Sequence, residues 1–203
     1  MPRIDLKKEL KEFYGASARH PVRVNVPGMN FLMIDGQGDP NTADDYRRAV
    51  EALYSVAYTV KFGVRNGPLG IDYGVMPLEG LWWTDDMRQF RTDNKDIWKW
   101  TLMILQPEWV SVDTVRAAKE TAGSRKVLPA LPRLRLERFE EGEAAQLLHV
   151  GSYAEEGPTV ERLHAFIADG GHELRGRHHE IYLNDARRTA PSRLKTIIRQ
   201  PFA

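Results

Sequence analysis

Two carboxylates stand in apolar, aromatic stretches, where a charge is costly to place. Glu79 lies in Leu78-Glu79-Gly80-Leu81-Trp82-Trp83, and Glu180 lies in His179-Glu180-Ile181-Tyr182-Leu183. A carboxylate leaves water only where a partner or a function offsets the desolvation cost. Each segment is followed by an apolar run that ends in Gln-Pro: Trp100 to Pro107 after the first, Leu194 to Pro201 after the second. Aligned without gaps, Ile104, Gln106 and Pro107 fall on Ile198, Gln200 and Pro201. The doubling predicts two similar halves about a pseudo-twofold axis, with a concave ligand pocket that takes one acid from each.

Glu180 with Tyr182 is the pair best suited to catalysis. Residues two apart on a strand share a face, so a general base would sit beside a phenolic donor. The plainer reading is a structural Glu that bonds Arg187, Arg188 or Arg199 within a packed sheet. Alternation sends Ile181 and Leu183 towards the helices, and Glu180 and Tyr182 to the opposite, open face. Repeat matching gives Glu79, Leu81 and Trp83 that same open face.

The rings Tyr54, Tyr73, Trp82, Trp83, Trp98 and Trp100 fall within a few elements. Such clusters ordinarily form core, and core suits Trp82 and Trp98 best. Trp83 and Trp100 are the stronger candidates for ligand walls, and with Glu79, Tyr54 and Trp82 they make up the expected ligand-binding set. Flat aromatic walls around a carboxylate suit planar or cationic organic molecules. Tyr54 and Tyr58 are expected to pack onto the sheet, with their hydroxyls towards the pocket rim.

His172, His178 and His179, with Glu173 and Glu180, match no zinc spacing, and adjacent strand residues face opposite ways. No metal and no cofactor are expected. Gly36-Gln37-Gly38 lacks the third glycine and the Lys-Ser/Thr of a phosphate loop, so it reads as a turn.

The elements that position these residues follow from periodicity and turn signals. A charged arm over residues 1–20 is expected to pack Leu6, Leu10, Phe13 and Tyr14. A strand at 29–35 leads, after a Gly/Pro turn, into a helix of about 20 residues capped by Asn41 or Thr42. Its expected apolar face is Tyr46, Val50, Leu53, Tyr54, Ala57, Tyr58 and Phe62. Strands at 73–83 and 97–106 follow, joined by the polar loop Thr84–Asp96. A helix capped by Ser111 or Asp113 and a Gly/Pro linker then join the halves, about 21–107 and 131–203, in one domain of 203 residues. The second half reads as a hairpin of 134–139 with 144–150, a helix whose buried side is Val160, Leu163, Phe166 and Ile167, and strands near 178–183 and 194–199. The order β-α-β-β, repeated, predicts an α+β fold, its antiparallel sheet covered on one face by helices.

Composition narrows the classes. Lys and Arg number 29 against 28 Asp and Glu, so the net charge is +1, without the basic stripe of a nucleic-acid binder. There is no cysteine, which excludes disulfides, thiolate sites and cysteine nucleophiles. No run reaches the roughly 18 apolar residues of a membrane span. The start is too charged for a secretory signal, so a cytoplasmic location is expected.

Three motifs resemble one family across nearly the whole chain. Val75 to Trp83, Met33 to Asn41 and His178 to Asp185, with the closing Arg193 to Pro201, are similar to the stand-alone GyrI-like small-molecule-binding proteins. The resemblance implies two strand–helix–strand–strand units around a pocket. Related regulator domains bind lipophilic cations with a Glu inside an aromatic pocket. Some stand-alone members hydrolyse cyclopropanoid (spirocyclopropane) genotoxins, which implies a cyclopropyl hydrolase with Glu180 activating water and Tyr182 or Tyr54 donating to the developing oxyanion. The alternative is a non-catalytic, multidrug-sequestering protein. The expected partner is a small-molecule ligand, with no nucleic acid and no membrane, and a homodimer is the assembly to test. Gyrase is the weakest partner, because no run marks the exposed patch it would need.

Overall fold

The computed structural model describes residues 2–87 and 94–203; of the loop expected at Thr84–Asp96, residues 88–93 lie outside that description. In chain order the elements begin with strand β1 (Arg3–Ile4), helices α1 (Leu6–Glu9) and α2 (Lys11–Tyr14), strands β2 (Val22–Val26) and β3 (Met29–Gln37), and helix α3 (Asp44–Asn66). Strands β4 (Asp72–Tyr73), β5 (Leu78–Trp83) and β6 (Lys99–Gln106), helix α4 (Val112–Arg125) and strands β7 (Arg135–Phe139) and β8 (Gly142–Val150) follow. Helix α5 (Gly157–Asp169) and strands β9 (His178–Tyr182) and β10 (Lys195–Pro201) complete the chain. The fold is α+β, as the motif order predicts. The strand–helix–strand–strand sequence occurs as β3-α3-β5-β6, with the short β4 interposed, and again as β8-α5-β9-β10.

The chain divides into two compact units. One holds Met1–Glu9, Met29–Met76 and Trp82–Phe139; the other holds Leu10–Gly28, Pro77–Leu81 and Glu140–Ala203.

In the first unit β3 pairs antiparallel with β6 on one side and β7 on the other. The expected hairpin of 134–139 with 144–150 does not form. Arg135–Phe139 instead pairs with Met29–Met33. Gly142 adopts a left-handed φ of 71° and opens β8 rather than turning a hairpin; glycine takes that conformation without steric cost.

Helix α3 packs on β3, β6 and α4, but on a different face from the one its large apolar residues suggested. The buried positions are Ala49, Ala52, Leu53, Val56, Ala57, Val60 and Val64. Small residues let the helix axis approach the sheet, and the bulky i, i+4 row is displaced sideways. Tyr54, Tyr58 and Phe62 stack in succession along that row with centroids 6.3 and 6.4 Å apart, and Tyr58 and Phe62 remain about half exposed. In α4, Ser111 caps as expected, accepting from the Thr114 amide at 3.2 Å.

Gly36 shows how tightly the first unit is packed. It pairs in register with Trp100, and a Cβ built at Gly36 would lie 2.1 Å from the indole Cη2. Trp100 is fully buried and meets the Tyr46 ring edge-on at 5.5 Å. Gly36→Ala is expected to overpack this contact and cost about 2 kcal/mol, lowering the melting temperature by about 4–8 °C. Thermal unfolding by circular dichroism checks it.

In the second unit the strand order is β2-β8-β10-β9-β5, with β2-β8, β8-β10 and β10-β9 antiparallel. Helix α5 covers one face: Leu163 and Ile167 pack with Ala145, Leu147, Ile198 and Phe202, flanked by Val160 and Phe166, as the spacing predicts. The other face is covered by the arm. The Gln146 amide donates to the Glu12 and Gly15 carbonyls at 2.8 and 3.1 Å. Among the described residues no helix is long and apolar enough to cross a membrane.

Candidate functional site

Strand β9 distributes its polar side chains by strict alternation. Glu180 pairs in register with Ile198, and Ile198 with Leu147. Directly opposed residues share a face, and Ile198 and Leu147 pack under α5. Glu180 therefore faces the α5 side of the sheet, together with its i−2 and i+2 neighbours His178 and Tyr182. The sequence reading placed Glu180 on the face away from the helices. The side reverses because the apolar partners of α5 are Ile198 and Leu147, whereas Ile181 pairs with Ile197 on the other face.

Both oxygens of Glu180 are held by its own strand. The Tyr182 hydroxyl donates to Oε2 at 2.7 Å, and His178 Nε2 lies 3.1 Å from Oε1. The Glu180 side chain keeps 13 % of its accessible surface and His178 keeps 7 %, so the carboxylate is sheltered but reachable. The Tyr182 ring meets Tyr153 edge-on at 5.6 Å. His164 of α5 feels the charge of His178 in this row. Burial and then the neighbouring His178 charge lower its pKa, against a hydrogen bond to the Gln200 side chain.

Glu79 does not join Glu180. It sits on the opposite face, beside His179, in a buried network confined to the second unit. Tyr14 donates to Glu79 Oε1 at 2.5 Å, and His179 Nε2 donates to Glu79 Oε2 at 3.0 Å. His179 Nδ1 reaches both oxygens of Glu141 at 3.0 Å. Arg199 Nη1 donates to Glu141 Oε2 at 3.0 Å, and its Nε and Nη2 donate to Gln146 Oε1. Nη2 also donates to the Phe13 carbonyl at 2.5 Å. Two carboxylates balance an imidazolium and a guanidinium.

The protonation states follow from that balance. Burial pushes the Glu141 pKa up, but the His179 and Arg199 charges together outweigh it and bring it down to about 2. Burial pushes His179 down, but the Glu141 charge, with the hydrogen bonds that His179 donates to Glu141 and Glu79, raises it to about 9. The Tyr14 phenol is held well above its ordinary range by burial and then by the Glu79 charge. Every ionised group has an opposite partner, which is the condition for keeping charge in a core.

The remaining sequence candidates lie in the first unit. Trp82 and Trp100 are core residues. Trp82 stacks on Tyr46 at 6.0 Å and meets Trp98 edge-on at 5.8 Å, and the Trp82 and Trp100 indole nitrogens are buried without an acceptor among the described residues. Trp83 ends β5 only partly buried, and Tyr54 is partly buried beside Tyr58. Arg199, weighed as an ion partner for Glu180, serves Glu141 instead. Among the described residues no group of three His, Asp or Glu is placed to hold a metal ion. The sequence reading missed His178 and the role of the buried network. The signal for His178 was present: the alternation that separates it from His179 aligns it with Glu180 and Tyr182.

The large sheet with its covering helices places the chain among α+β domains. Residues 21–202 match the model of the GyrI-like small molecule binding domain, and the chain belongs to that family. It is similar to an uncharacterized conserved protein from Listeria innocua at 42 % identity and a TM-score of 0.91, over 98 % of this chain and all of the other. Two Listeria innocua proteins described as hydrolases are 41 % identical. Their TM-scores are 0.86 and 0.89, over 98 and 99 % of this chain and the whole of each of theirs. No curated protein matches the chain.

Proposed function

We propose that this chain is a small-molecule hydrolase for planar, hydrophobic compounds, and that its reaction opens the spirocyclopropane ring of cyclopropanoid alkylators in a cytoplasmic detoxification role. The observation that carries the proposal is the Glu180 carboxylate, sheltered on the α5 face with both oxygens oriented by Tyr182 and His178. The hydrolase descriptions of the two Listeria proteins support it. A strained cyclopropane conjugated to a dienone opens when water attacks its carbon and the carbonyl oxygen becomes a phenolate. Glu180 takes the water proton as the carbon–oxygen bond forms and the ring carbon–carbon bond breaks. Once protonated, Glu180 is a weaker acceptor, and the Tyr182 hydroxyl is freed to donate to the phenolate oxygen.

Of the expected ligand-binding set, Trp83 and Tyr54 are the rings that remain only partly buried, so within the first unit they are the ones able to meet a flat ligand. Trp82 and Trp100 are buried in the first unit, and Glu79 is buried in the charged network of the second. The expected outcome of incubating the protein with a spirocyclopropane alkylator is a ring-opened product heavier by one water, seen by mass spectrometry. Saturable quenching of tryptophan fluorescence without that product would favour the sequestering reading, for which the family's small-molecule binding speaks.

A further inference from the structure

We propose that Thr159 and His149 form a second hydrolytic centre, separate from Glu180, for small activated carboxylic esters of aromatic alcohols. The threonine hydroxyl is its nucleophile and the imidazole its base. His149 Nδ1 and Thr159 Oγ1 are 3.0 Å apart, and His149 Nε2 is 3.0 Å from the Ser152 carbonyl oxygen. A carbonyl oxygen only accepts, so Nε2 carries the ring proton. Nδ1 of the neutral ring is then an acceptor, and the Thr159 hydroxyl donates to it. A nucleophile bonded to a base, with the base oriented by a third group, is the arrangement that activates a hydroxyl.

The surrounding loop holds the base in this tautomer. Gly151 has a φ of 148°, and a Cβ there would lie 3.0 Å from His149 Nε2, so glycine lets the loop bring the Ser152 carbonyl to the ring. Glu155 Oε2 pins the residue that carries this carbonyl, accepting from the Ser152 hydroxyl at 2.6 Å and its amide at 3.1 Å. His149 is buried, whereas Thr159 is only partly so. The base is sheltered and the nucleophile can meet a substrate.

A further observation points to a ligand beside the pair. Thr196 pairs in register with His149 on one side and Tyr182 on the other, so the three share the α5 face. Thr196 Oγ1 is buried with no partner among the described residues. A buried hydroxyl in that state marks a place where another polar atom is held. Tyr153, 41 % exposed, follows Ser152 and meets the Tyr182 ring edge-on, which offers an aromatic surface to the alcohol half of the ester.

The reaction balances. Thr159 Oγ1 bonds to the ester carbonyl carbon as its proton passes to His149 Nδ1. Thr159 is the third residue of α5, so charge growing on the carbonyl oxygen lies at the positive end of the helix dipole. The ester carbon–oxygen bond breaks, and His149 gives the proton to the departing alcohol. Water then attacks the acyl-threonine and gives a proton to His149, which returns it to Thr159 as the carboxylic acid leaves. One ester and one water become one acid and one alcohol.

The test incubates the whole chain with p-nitrophenyl acetate, follows release of nitrophenolate, and maps acetyl groups by peptide mass spectrometry after an acid quench. Nitrophenolate departs readily, so deacylation limits the rate and acyl-threonine accumulates. Wild type is expected to turn over with saturation and to carry acetyl on Thr159. Thr159→Val, close in shape, is expected to lose that adduct and about 100-fold in kcat/KM, and His149→Gln about 100-fold in kcat. Thr159→Ser should keep both adduct and turnover. A threonine that served only to hold His149 in place would not be acetylated. If His149→Gln fails to fold, the site of acetylation in wild type and in Thr159→Ser decides. Acetyl confined to lysines or histidines, or wild-type turnover in a folded Thr159→Val, overturns the proposal. Such a failure would not touch ring opening at Glu180, whose chemistry uses neither side chain.

Discussion

Glu141→Gln is expected to destabilise the protein by about 3 kcal/mol, because removing one charge from a buried, balanced network strands the others. The side chain is nearly isosteric, so the loss reports charge rather than a cavity. For a chain of this length it corresponds to a fall of about 6–12 °C in melting temperature. The wild-type pH profile follows from the same groups. His179 has its pKa raised to about 9 from an ordinary 6.5, so its contribution is complete below about pH 6.5 and is lost as pH rises through 9. Glu141 is lowered to about 2 from 4.5, so its contribution is complete above about pH 4.5 and is lost as pH falls through 2. Stability should therefore be greatest between about pH 4.5 and 6.5. In Glu141→Gln the main support for the His179 proton is gone, and the alkaline loss should begin at lower pH. Urea unfolding across pH measures both effects; an unchanged alkaline limb would show that His179 is not held charged by Glu141.

Glu180→Gln is expected to reduce kcat for ring opening by about 10²–10⁴-fold, the ordinary worth of a general base. Affinity for a neutral planar substrate should hold within a few-fold, since the amide fills the same space and still accepts from Tyr182. A loss in kcat with KM retained assigns Glu180 to the transition state, whereas a rise in KM alone would assign it to binding. Equal turnover by the variant and wild type would defeat the catalytic role.

The legible part of this molecule was whatever depended on local period and turn chemistry. The buried side of α5 and the Ser111 cap could be read from spacing because nothing distant competes with them. Alternation correctly paired Glu180 with Tyr182. What alternation cannot supply is which face the helix covers, and that depends on Ile198 and Leu147, residues far along the chain. The internal likeness between the Glu79 and Glu180 segments misled for the same reason: similar strands were given equivalent surroundings, yet Glu79 meets His179 and Tyr14. In α3, residue size was taken as a guide to burial, while close packing selected the alanines and left Tyr58 and Phe62 outside. The hairpin assigned to 134–150 failed because strand pairing is a non-local choice, and Met29–Met33 offered Arg135–Phe139 a partner that neighbouring sequence did not reveal.

The family pattern begins at residue 21, yet Phe13, Tyr14 and the carbonyls of Glu12 and Gly15 lie before it. Trimming the chain to the recognisable motif would deprive a guanidinium, an amide and a carboxylate of their neutral partners at one stroke. The span of the family pattern and the span that completes the buried network are thus different lengths, and a comparison restricted to the pattern would overlook what keeps this core electrically satisfied.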